Sequence, residues 1–209
     1  MREENIELEN LTLHGYLELP PEAKGIVLFA HGSGSGRRSP RNQYVAKILR
    51  EGGLGTLLMD LLTPAEEQED EYTRQYRFDI PLLASRLVDT TDWLKKKHLL
   101  PQGYFGSSTG AAAALIGAAK RPQEIKAVVS RGGRTDLAEP FLNQVEAPTL
   151  MIVGSEDEIV LELNASSQKK MHSSTQLEII SQATHLFEES GALEQVALLA
   201  RNWFIKYLI

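Results

Sequence analysis

The chain has 209 residues, with 22 basic and 28 acidic side chains for a formal charge of −6, and no cysteine. The missing cysteine excludes disulfides, thiolate catalysis and cysteine-ligated zinc or iron–sulfur centres. Scattered basic residues on a net-acidic chain argue against nucleic acid as a partner.

The longest apolar stretch, Gly110 to Ala119, is about half of what a bilayer requires, and MREENIELEN carries no apolar signal segment. The expectation is one cytoplasmic domain over residues 1–209, with no membrane contact.

In chain order, IELE and LTLHGYLEL alternate polar and apolar residues and read as two short strands ended by Pro20-Pro21. GIVLFA is a continuous apolar run, the mark of a strand covered on both faces. It breaks abruptly into HGSGSGRRSPRN. NQYVAKILREGG places Tyr44, Val45, Ile48 and Leu49 at helical spacing before Gly52-Gly53 stops it. LGTLLMDLL is a further buried strand. Residues 63–79 are the most acidic part of the chain and read either as a lid-like excursion or as a solvated helix. A helix follows over DIPLLASRLVDTTDWLKKKH.

From Pro101 the alternation continues. GYFGSS is a strand, TGAAAALIGAAK a helix, IKAVVS a strand and RGGRTD a loop. APTLMIVGSED is a strand ending in acidic residues, followed by the helix IVLELNASSQKKMH. TQLEIIS is the last strand, QATHLFEES a loop and GALEQVALLARNWFIKYLI the terminal helix. Strand and helix in alternation predict an α/β fold, a mostly parallel sheet with helices on both faces.

Gly106-Ser107-Ser108-Thr109-Gly110 fits the nucleophile-elbow pattern G-x-S-x-G between a strand and a helix. Small flanking residues allow the sharp turn, which lifts the middle side chain above the sheet. Ser108 is the candidate nucleophile, and Ser107 lies one place too early. A nucleophilic serine needs a base and a group to orient it.

His185 lies in the loop after the last strand. Asp157 follows the strand before it, 49 residues after Ser108 and 28 before His185. Residues beyond the carboxyl ends of parallel strands converge on one edge. His31 competes as base, and Glu156, Glu158 and Asp136 compete as the carboxylate. The order Ser, Asp, His is that of an α/β-hydrolase.

His31-Gly32-Ser33-Gly34-Ser35-Gly36 is neither a Walker loop nor a dinucleotide fingerprint. It suits half of an oxyanion hole, with the backbone N–H of Ser33 joining that of Thr109. Arg37, Arg38 and Arg41 are either solvated charge or an attraction for an anionic substrate. No His, Asp and Glu spacing calls for a metal, and no cofactor is expected.

The segments VLFAHGSGSGRRSPRN, GYFGSSTGAAAALIGA, AVVSRGGRTDLA, PTLMIVGSEDEIV and ATHLFEE resemble the dienelactone hydrolase-like branch of the α/β-hydrolase superfamily. The resemblance runs from about Gly25 to the C-terminus. It implies a sheet of about eight strands, the second antiparallel, without a large cap domain. It places the family's nucleophile on Ser108, its acid on Asp157, its base on His185 and its oxyanion donors on the amides of Thr109 and Ser33.

Dienelactone hydrolases proper carry cysteine at the elbow, so that named activity does not transfer. What is implied is a serine hydrolase acting on a small-molecule ester or thioester through an acyl-enzyme. Acyl transfer, perhydrolysis or carbon–carbon hydrolysis on the same residues, or a silent binding module, stay open. So does the choice between monomer and homodimer, since IKYLI either packs on the sheet or offers an apolar patch.

Overall fold

The computed structural model describes residues 2–209. Its sheet has eight strands: β1 (Arg2–Glu7), β2 (Thr12–Glu18), β3 (Ile26–Ala30), β4 (Gly55–Met59), β5 (Gln102–Ser107), β6 (Ile125–Arg131), β7 (Thr149–Gly154) and β8 (Thr175–Ile180). Their order across the sheet is β1-β2-β4-β3-β5-β6-β7-β8. β1 and β2 pair antiparallel, β2 joins β4 antiparallel, and every pairing from β4 through β8 is parallel.

Among the described residues the α-helices are α1 (Pro40–Glu51), α2 (Pro64–Thr73), α3 (Ile80–Lys97), α4 (Thr109–Lys120), α5 (Glu158–Gln168) and α6 (Ala192–Leu208). Two separate cores explain why β3, β4 and β5 are buried at every residue. Leu28, Leu57 and Tyr104 face α3 and α4 with Leu87, Leu94 and Leu115. Val27, Phe29, Leu58 and Phe105 face α1 and α6 with Val45, Leu49, Ala200 and Phe204. Adjacent residues on a strand point to opposite faces, so a strand covered twice has no polar side.

Five of the six alanines of α4 are buried, held between the sheet on one side and α3 and a 3-10 helix (Thr135–Gln144) on the other. Only a helix this slim fits there.

Two local expectations change, and of the two readings of the last helix the inward packing is the one observed. Tyr44, placed on the buried stripe of α1 by spacing, is exposed, and Asn42 takes an inward position instead. The loop expected at RGGRTD runs on into the 3-10 helix, whose interior Pro140 breaks the α-helical pattern. The apolar end of α6 packs inward through Trp203, Phe204 and Leu208, while Lys206 covers the Trp203 and Tyr207 rings.

The acidic segment after Leu61 is a helix. Thr63 and Glu66 close a reciprocal cap at its start, with Glu66 N–H donating to Thr63 Oγ1 and Thr63 N–H to Glu66 Oε2. Arg86 reaches Glu66 from α3, and Arg77 donates from Nε to Asp70 at 2.5 Å.

Candidate active site

The C-terminal ends of β5, β7 and β8 bring three chain-distant loops to one edge of the sheet. At the first, Ser108 adopts φ 50° and ψ −120°, a conformation rare for any residue with a side chain. Its backbone is held there from three sides. Ser108 N–H donates to Arg131 O at 3.1 Å, while its carbonyl accepts from Ala111 N–H at 3.1 Å and Arg134 N–H at 3.0 Å. The flanking glycines are required by space. A Cβ on Gly110 would lie 2.2 Å from Ala30 O, and one on Gly106 would lie 2.5 Å from Ala111 Cα.

Asp157 and His185 meet. His185 Nδ1 lies 2.6 Å from Asp157 Oδ2. With the carboxylate as acceptor, Nδ1 carries the proton and Nε2 keeps its lone pair. The two loops are stitched together: Ser155 N–H donates to Ile180 O, Glu156 N–H to Ala183 O, and Gln182 N–H to Ser155 Oγ. Gly154 approaches so closely that a Cβ there would lie 2.1 Å from Ala183 O. Thr184 ties its amide and hydroxyl to Glu189 and so folds the loop around His185.

The segment 131–134 touches both Ser108 and His185. A Cβ on Gly132 would sit 3.3 Å from His185 Nδ1, and residues 131 and 134 grip the Ser108 backbone. The Ser108 hydroxyl caps no helix amide, and no hydrogen bond joins it to His185 among the described residues. Such contacts are commonly long before substrate arrives.

The competing residues are otherwise engaged. His31 is buried, its Nε2 accepts from Leu61 N–H at 3.0 Å, and its Nδ1 lies 2.9 Å from Gly32 O. Burial holds it below the ordinary histidine pKa, so it is a neutral brace between the loops after β3 and β4. Asp136 is forked by Arg134, whose hydrogen bonds hold it below the usual carboxylate range. Glu156 bonds Ser155, and Glu158 begins α5 at the surface.

Of the residues expected for the oxyanion, Thr109 begins α4, whose first-turn amides lack helical acceptors. Ser33 N–H is engaged, donating to Thr109 Oγ1 at 3.0 Å. Beside this loop lies a cavity of about 260 Å³ between Gly32–Ser35 and α2, with Leu62, Glu67, Glu71 and Arg77 in its walls. The acidic helix therefore roofs the loop that follows β3. Of Arg37, Arg38 and Arg41, Arg37 pairs with Asp60 and Glu3, and Arg41 with Glu188.

Two residues matter here that the sequence did not single out. Asn164 holds the Gly133 carbonyl at 2.8 Å from within α5, and Arg131 ends β6 beside the elbow. An asparagine inside a helix and an arginine ending an apolar strand were the available signals. Among the described residues, no group of three or more His, Cys, Asp or Glu is placed to hold a metal, and no helix is long and apolar enough to cross a membrane.

The chain is similar to dienelactone hydrolase from Anabaena variabilis, with 54% identity and a TM-score of 0.97 over 100% of this chain and 99% of that one. Est1E from Butyrivibrio proteoclasticus shares the fold, with a TM-score of 0.83 and 18% identity over 98% of each chain. Relatives from Mycobacterium tuberculosis carry the provisional name phosphoribosyl transferase. They are 55% identical over 197 residues, 93% of this chain. The chain spans only 44% of the length of those curated relatives. No protein-family model matches the sequence.

Proposed function

The chain belongs to the dienelactone hydrolase-like branch of the α/β-hydrolase superfamily, and on that premise we propose that it hydrolyses a small carboxylic ester or thioester through an acyl-enzyme on Ser108. The reading rests above all on the Asp157–His185 hydrogen bond of 2.6 Å, set at the same sheet edge as a strained serine elbow. Esterase and hydrolase names among the structural relatives support the general chemistry.

In this mechanism Ser108 Oγ attacks the acyl carbonyl as His185 Nε2 takes its proton. Asp157 keeps Nδ1 protonated and stabilises the imidazolium. The developing oxyanion takes hydrogen bonds from the amides of Thr109 and Ser33, for which the Thr109 hydroxyl must turn away. His185 then protonates the leaving alcohol or thiol and activates a water for deacylation. The cavity beneath α2 receives part of the substrate.

A panel of short acyl esters, assayed with wild type and Ser108→Ala, tests the proposal. The expected outcome is loss of turnover by about 10³-fold or more in a folded variant, with fluorophosphonate labelling of wild type only. Full esterase activity in Ser108→Ala would overturn it. Product analysis with an added alcohol distinguishes hydrolysis from acyl transfer.

A further inference from the structure

Behind the elbow sits a positive charge with no acidic partner among the described residues. Arg131 ends β6 opposite Ser107 in the sheet register, so both side chains project to the face covered by α1 and α6. Arg131 is 7% exposed, and its Nε and Nη1 are buried without a hydrogen-bond partner. The charged group acting on it is another cation, Arg41 of the first turn of α1. Arg41 gives Nη1 to Glu188 at 3.0 Å, but its Nε is also buried and unpartnered. Asn42 and Ser107, both nearly inaccessible, complete this polar corner, with Ser107 Oγ 3.4 Å from Asn42 Oδ1.

Burial, with the like charge of Arg41 added, brings Arg131 down to about 10, so it remains protonated at neutral pH. A buried guanidinium left unpaired is strongly unfavourable. The N-terminus of α1 adds positive potential to the same corner, and its first turn contains no acidic residue.

We propose that Arg131, Arg41 and the start of α1 form a binding site for a phosphate-type oxoanion. Two guanidiniums offering free N–H groups suit a tetrahedral dianion, whereas one arginine fork is enough for a planar carboxylate. This site does not depend on the ester-hydrolase reading, and its binding test needs no turnover. The phosphate is either inorganic or carried by the substrate.

Thermal unfolding of the whole chain at pH 8, in chloride and then in inorganic phosphate at matched ionic strength, tests it. Wild type is expected to gain Tm saturably with phosphate. Arg131→Met is expected to lose that response, to begin with a higher Tm in chloride because an unpaired charge has gone, and Arg131→Lys to keep part of it. Arg38→Met, at an exposed arginine, should respond as wild type does. If Arg131→Met fails to fold, calorimetric titration of Arg41→Met gives the second reading, with at least tenfold weaker phosphate binding expected.

A saturable response equal in wild type and Arg131→Met, none in wild type, or an equal effect of acetate would overturn the proposal. With esters differing only by a phosphate group, competition by inorganic phosphate against the phosphorylated ester alone assigns the anion to the substrate. Phosphate binding without effect on either ester assigns it to the free ion.

Discussion

Ser33 gives its backbone N–H to the Thr109 hydroxyl at 3.0 Å, so one proposed oxyanion donor is bonded to the side chain of the residue that carries the other. The hydroxyl fills the place an oxyanion would take on Ser33 and must rotate before both amides can converge. Thr109→Val removes that competitor and keeps the side-chain shape. Its kcat/KM is expected within about fivefold of wild type, at a stability loss of about 1 kcal/mol for the missing hydrogen bond. A fall beyond about 100-fold, rescued by Thr109→Ser, would make the hydroxyl itself a donor.

Ser108 has a positive φ held by three backbone hydrogen bonds. Glycine adopts this conformation without strain, whereas alanine retains the Cβ that causes it. Ser108→Gly and Ser108→Ala should both be inactive. The glycine variant should exceed the alanine variant in stability by about 1 kcal/mol in urea unfolding. Equal stabilities would mean that the elbow relaxes when the hydroxyl is lost.

Asp157→Asn preserves the shape of the acid but lets its amide donate to His185 Nδ1, which favours the imidazole tautomer with its proton on Nε2. That tautomer cannot accept from Ser108. A loss of about 10⁴-fold in kcat is expected, with the fold intact because the backbone bonds around Ser155 and Glu156 are untouched. Glu156→Gln and Glu158→Gln, which change only surface carboxylates, should leave kcat at the wild-type value.

The alternation of strand and helix and the two-sided burial of the sheet were legible because β3 and β4 are largely apolar runs between turn residues. The gathering of Ser108, Asp157 and His185 at one edge followed from their positions just past strand ends. Other features depend on contacts between distant segments. The roof formed by α2 requires the reach of Arg77 and Arg86, the engagement of Ser33 depends on the Thr109 rotamer, and the isolation of Arg131 depends on what α1 does not supply. The 3-10 helix escaped notice because Pro140 disrupts the spacing that marks a longer helix.

Asp70 anchors the roof of the cavity. It accepts from the amides of Tyr76 and Arg77 and from Arg77 Nε. Burial opposes its ionisation, but the Arg77 hydrogen bonds and charge outweigh that and hold its pKa below the usual 3.8. The contribution to stability is therefore full above about pH 4 and is lost as pH falls through the lower, folded-state value. Asp70→Asn should cost about 3 kcal/mol at pH 7 and raise KM more than it lowers kcat. Urea unfolding and ester kinetics measure the two effects; a variant with unchanged KM would detach α2 from substrate binding.

His31 controls a different pH range. Its buried ring accepts from Leu61 N–H through Nε2, an interaction available only to the neutral form. Its folded-state pKa lies below the ordinary histidine value of 6.5, chiefly through burial. As pH falls below about 6.5, the unfolded chain binds a proton at this position that the folded chain refuses, and stability declines by up to about 1.4 kcal/mol per pH unit. Above that range the contribution is constant. Urea midpoints between pH 8 and pH 5 should slope in wild type and flatten in His31→Gln, which keeps one donor and one acceptor but has no titratable ring. Parallel slopes in the two proteins would transfer the pH response to another group and remove His31 as the neutral brace of the loop beside Ser108.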